Sequence, residues 1–119
     1  LRIPAGDIRA RRIEHRPAGV DANPYLVAAT VLAGIRLGMA GKIDPGPETK
    51  GNGYVGGEDA PPIPVDWRSA IEAAKGSDFL KSALGEDLHR TFTAVKSAEY
   101  ARVMRTVSEV DFDLYLYTV

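Results

Sequence analysis

Arg11-Arg12-Ile13-Glu14-His15-Arg16-Pro17-Ala18-Gly19-Val20-Asp21-Ala22-Asn23-Pro24-Tyr25-Leu26 is the stretch from which the rest of the chain is read. One carboxylate, Glu14, stands between two guanidiniums, Arg12 and Arg16, at alternate positions. In an extended strand, residues two apart point to the same face. Arg12, Glu14 and Arg16 then share one face, and Ile13 and His15 the other. A face with one acid and two permanent cations suits a divalent metal together with anionic oxygens, the equipment of phosphoryl transfer. The chain next turns through Pro17 and Gly19. Asn23 offers a helix N-cap, and Pro24 sits at the first helical position, where its missing N–H costs nothing.

Outward from this stretch, composition sets bounds. The chain has 119 residues, enough for one domain or a piece of one. Its hydrophobic content of 45% excludes a disordered chain. Fifteen basic residues face sixteen acidic ones, a net charge of −1 that gives no global attraction to nucleic acid or to an anionic membrane. Cysteine is absent, so there is no disulfide framework and no thiolate zinc site, which fits a reducing, cytoplasmic setting. The opening Leu1-Arg2-Ile3-Pro4 is no signal peptide and lacks a starting Met. The expectation is a fragment of a longer protein.

The spacing predicts a mainly α-helical α+β fold. Leu1–Ile3 and Arg12–Arg16 read as a short antiparallel strand pair, so that residues 1–22 form a strand pair bearing metal- and phosphate-binding groups. Residues 23–41 read as a buried helix, because Tyr25–Ala40 is nearly all apolar and Gly41 can end it. A membrane span is not expected: the segment is short for one and carries Arg36. Residues 42–66 form a Gly/Pro-rich loop of the length that usually serves a function. Residues 67–119 read as helical. Asp66 caps a helix with Trp67, Ala70, Ile71 and Ala74, ended by Gly76-Ser77. Phe79, Leu80 and Leu84 mark a short helix closed by Gly85. Glu86–Val107 is the longest candidate. The alternating ending Val110–Val119 reads equally as strand or helix. Four or so helices are expected in all.

Each candidate residue has a plain structural reading beside the chemical one. Glu14 could be no more than a surface ion pair with its neighbours. Arg2, Arg9 and Arg11 could be a solvated basic edge. No aromatic residue is interleaved to stack bases, so a polyanionic small molecule suits the cluster better than nucleic acid. His15 falls on the face opposite Glu14. His89 lies on a polar helix with no partner in view, and a structural role is expected of it. The glycines at 51–57 do not match a phosphate loop, because no Gly-Lys-Ser/Thr follows.

Arg2-Ile3-Pro4, Arg12-Ile13-Glu14-His15-Arg16, Ala22-Asn23-Pro24-Tyr25-Leu26 and Ala33-Gly34-Ile35 occur in an order and at gaps that resemble the C-terminal part of the glutamine synthetase catalytic domain. The resemblance runs to the chain end, weakly after residue 50. The Gly19-Val20-Asp21 connection looks more like the gamma-glutamylpolyamine synthetase branch than like typical glutamine synthetases. The family implies a two-step ligation in which ATP phosphorylates the side-chain carboxylate of glutamate and ammonia or an amine displaces the phosphate. Residue by residue, the resemblance implies that Glu14 ligates Mg²⁺ or Mn²⁺. It implies that Arg16 contacts glutamate and the transferring phosphate, as catalytic and substrate-binding group. Arg2 and Arg12 match arginines near the ATP phosphates, and Arg9 stands where a lysine near the nucleotide is common. Tyr54 lies near the tyrosine that some bacterial members adenylylate, but its flanks, Asn52-Gly53 and Val55-Gly56-Gly57, depart from the usual pattern.

The resemblance further implies a large homo-oligomeric ring, with the other metal carboxylates outside this chain. The 119 residues alone should then be catalytically silent and self-associating. A catalytically inactive homologue, or a helical module acting by assembly, is the alternative. A basic nucleic-acid binder is a third reading, disfavoured by the balanced charge.

Overall fold

The computed structural model describes residues 2–52 and 62–118. Two compact units divide the chain, Leu1–Glu48 and Thr49–Val119. Tyr54 lies outside the described residues.

The first unit contains the decisive stretch and one helix, α1, Pro24–Gly41. The expected strand pair is absent: among the described residues there is no strand, only one isolated antiparallel bridge between Arg2 and Glu14. These two residues exchange both backbone bonds, Arg2 N to Glu14 O at 3.1 Å and Glu14 N to Arg2 O at 2.8 Å. In that register the next hydrogen-bonded pair would be Pro4 with Arg12. Proline has no N–H to donate, so the ladder stops after one rung. In the other direction the partner of Arg16 would precede Leu1. The segment between the two arms turns through Asp7, whose Oδ1 accepts the N–H groups of Arg9 at 2.9 Å and Ala10 at 3.0 Å.

α1 starts where its capping residues place it. Asn23 Oδ1 accepts from the N–H groups of Tyr25 and Leu26, at 3.0 and 3.3 Å, and Pro24 opens the helix. Its last helical residue is Gly41, the end the sequence reading gives it. Lys42 takes the left-handed conformation with φ 47°. Ile43 N then reaches back to Gly38 O at 3.0 Å, the bond that closes a Schellman-type cap. The expected burial of α1 is not found within this chain, since none of its residues is buried. Its mean hydropathy of 1.3 over 18 residues meets the composition of a membrane span as well as that of a core helix. At roughly 27 Å it falls somewhat short of a bilayer core.

The second unit holds α2 (Trp67–Lys75), α3 (Asp78–Leu84), α4 (Glu86–Val103) and α5 (Glu109–Tyr115). α4 packs against both α2 and α3. Asp66 caps α2, accepting from Ser69 N at 2.8 Å and from the Ser69 hydroxyl at 2.6 Å. Gly85, at φ 80°, closes α3 and opens α4 in one residue, a conformation that favours glycine. α4 ends four residues earlier than the apolar spacing suggested. The chain ending is a helix rather than a strand, because Ser108 and Asp111 form a reciprocal capping box at its start. Ile71 is the one buried hydrophobic residue described, and His89 and Thr93 on α4 are the buried polar ones. Trp67 and Tyr100 meet edge to face at 5.7 Å.

Candidate active site

The bridge is what assembles the site. Pairing Arg2 with Glu14 brings a third guanidinium to the carboxylate that the alternation already places beside Arg12 and Arg16. Glu14 Oε1 accepts from Arg12 Nη2 at 2.8 Å. Oε2 accepts from Arg16 Nη2 at 3.0 Å and from Arg2 Nη1 at 3.4 Å. Arg12 is steadied by a second bond, Nη1 to Ala10 O at 3.3 Å.

Exposure divides the cluster. The Glu14 side chain retains 21% of its accessible surface, whereas the arginines retain 56% to 62%. The acid is thus the recessed member, and each guanidinium keeps N–H groups facing water. The hydrogen bond from Arg16, with lesser help from Arg12 and the positive charge of Arg2, holds the Glu14 carboxyl below its ordinary value of 4.5 against partial desolvation. Three fixed cations around one ionised acid leave the cluster net positive. Arginine forks match the oxygens of phosphate or carboxylate in two-point contacts.

Among the described residues, no group of three or more His, Cys, Asp or Glu side chains is placed to hold an ion. Glu14 Oε1 accepts a single hydrogen bond and retains a second lone pair. It fits the role of one hard oxygen ligand.

Of the residues selected from sequence, Arg2, Arg12, Glu14 and Arg16 meet. Arg9 does not join them: it is exposed, and its backbone N–H belongs to the Asp7 turn. His15 is exposed and also outside the cluster. Arg2 could not be placed on Glu14 from spacing alone, because that contact depends on the register of the bridge. The structural role of His89 has a specific form, with its Nε2 2.8 Å from the carbonyl oxygen of Ala74.

Comparison with known proteins agrees with the residue pattern. The family model described as glutamine synthetase, catalytic domain, matches residues 1–115. Gamma-glutamylputrescine synthetase PuuA of Escherichia coli (strain K12) is 35% identical over 116 residues, covering 98% of this chain and 24% of that protein. Glutamine synthetase of Methanosarcina mazei is 33% identical over 122 residues, covering 98% of this chain and 27% of that one. Glutamine synthetase of Azotobacter vinelandii is 36% identical over 123 residues, covering 97% and 26%. The chain spans about a quarter of the length of these curated relatives.

Proposed function

Since this chain belongs to the glutamine synthetase family, through its catalytic domain, we propose that it supplies the arginine–glutamate part of the active site of an ATP-dependent glutamate ligase. The observation that carries this reading is the Arg2–Glu14–Arg12–Arg16 cluster, which lies inside the matched residues. In this reaction the γ-carboxylate of glutamate takes the terminal phosphoryl group of ATP. Ammonia or an amine then attacks the resulting acyl phosphate, the C–O bond to phosphate breaks, and inorganic phosphate leaves.

The protein's share is electrostatic. Arg16 binds the glutamate carboxylate and the phosphoryl oxygens, where charge accumulates in the transition state. Arg2 and Arg12 face the nucleotide phosphates, with Arg9 at the edge of the nucleotide site. Glu14 provides one ligand for Mg²⁺ or Mn²⁺, and the ion neutralises phosphate charge when bound. The remaining ligands and the rest of the pocket belong to the complete protein, which we place in the cytoplasm as a large homo-oligomeric ring. An amine acceptor is favoured over ammonia by the Gly19-Val20-Asp21 connection and by the similarity to gamma-glutamylputrescine synthetase.

The test is phosphate release by the complete protein with ATP, Mg²⁺ and glutamate, across ammonia, putrescine, ethanolamine and an aromatic amine. Release that depends on one acceptor supports the ligase and names its branch. A folded protein that releases no phosphate with any acceptor is the inactive homologue instead.

A further inference from the structure

Both oxygens of Glu14 are engaged by the same guanidiniums that the proposed reaction turns toward phosphate. We infer that Glu14 is a resident counter-anion for the arginine cluster: before ligands arrive it occupies Arg12 and Arg16, and an incoming phosphate must compete with it. This inference rests on the ligase reading for the identity of the phosphate, but not for the competition itself.

The geometry supports it in three ways. Arg12 has one nitrogen on Glu14 and the other on the Ala10 carbonyl, so both terminal nitrogens of its fork are engaged within the protein. The contacts divide unequally, with a single guanidinium on Oε1 and two on Oε2. Loss of Arg12 therefore vacates Oε1 alone and leaves Oε2 paired with Arg16 and Arg2. Finally, the arginines are largely exposed, and ion pairs in water are weak enough to exchange. A cation placed on Oε1 would take the site that Arg12 holds. Divalent metal and phosphate would then favour each other through Glu14, beyond any direct contact between them.

The test uses inorganic pyrophosphate as probe, titrated calorimetrically into the complete protein in excess EDTA. Glu14→Gln keeps the shape and removes the charge, and Glu14→Ala removes the side chain. The expected result is a three- to ten-fold tighter pyrophosphate affinity for both variants than for the parent, with unchanged circular dichroism. Equal or weaker binding by a folded variant overturns the inference, since Glu14 would then organise the arginines rather than occupy them. Should one variant unfold, the other decides. The ligase reading is tested separately, by acceptor-dependent phosphate release in the parent, so tight variant binding in a protein without turnover upholds the competition and rejects the ligase.

Discussion

A carboxylate that accepts hydrogen bonds from three guanidiniums is held in its charged form, and Glu14 is in that position without being deeply buried. Its exposed ion pairs contribute little to folding, so its value lies in what it presents to a ligand. Glu14→Ala in the complete protein should therefore lower ligase turnover about 100-fold or more, the scale of losing one electrostatic group at a phosphoryl centre. Its thermal unfolding midpoint should stay close to that of the parent. Unchanged turnover would remove Glu14 from the metal site. The shared face of Arg12, Glu14 and Arg16 is legible in the sequence because alternation is a local property. Arg2 is not placed by it, since a contact over twelve positions depends on a bridge register that local spacing does not specify.

Among the elements, those with local punctuation are the ones the sequence announces. Asn23-Pro24 and Asp66 mark helix starts, and a side chain at each performs the capping. The strand pair misleads because period-two alternation states which face a residue occupies, not whether a ladder continues, and Pro4 ends this one. The alternating tail leaves strand and helix open, and the Ser108–Asp111 box decides for helix. Acid should undo these caps. The Ser69 hydroxyl and N–H hold Asp66 below its ordinary 3.8, and the Ser108 N–H and hydroxyl do the same to Asp111. A lowered folded pKa gives stability that is complete above the ordinary value and lost as pH falls through the folded one. Helicity measured by circular dichroism should decline on that side only, and Asp66→Asn with Asp111→Asn should flatten the decline. The α2–α4 contact has its own test. His89 is buried with Nε2 on the Ala74 carbonyl at the end of α2, which requires the Nε2-protonated form as donor. His89→Ala should cost about 0.5–1.5 kcal/mol of unfolding free energy, the net worth of one hydrogen bond, because the Ala74 carbonyl keeps the Ser77 N–H at 3.3 Å. A denaturation midpoint that does not move would show that this bond is replaced by water.

At the scale of the molecule, little apolar surface is hidden. Ile71 is the one described hydrophobic residue that is buried, while Leu32, Leu37 and Met39 on α1 are 53% to 75% exposed. On α5, Phe112 and Leu114 are likewise more than half exposed. A chain with so few residues removed from water has little hydrophobic free energy to set against its conformational entropy. The chain spans about a quarter of the length of its curated relatives, and a sequence can report apolar periodicity without reporting what covers it. Two consequences can be separated by experiment. The isolated 119 residues should associate as concentration rises, seen as a growing weight-average mass in sedimentation, since exposed apolar faces find each other when their natural cover is absent. They should also turn over no ATP with glutamate and any amine, because one carboxylate and three arginines do not complete a metal site. A monomer that stays silent would mean that these faces tolerate water, with the division of the active site untouched. An associated chain with turnover above a Glu14→Ala control would mean that the catalytic groups reside here after all, and the assignment of the missing ligands to the rest of the protein would fall.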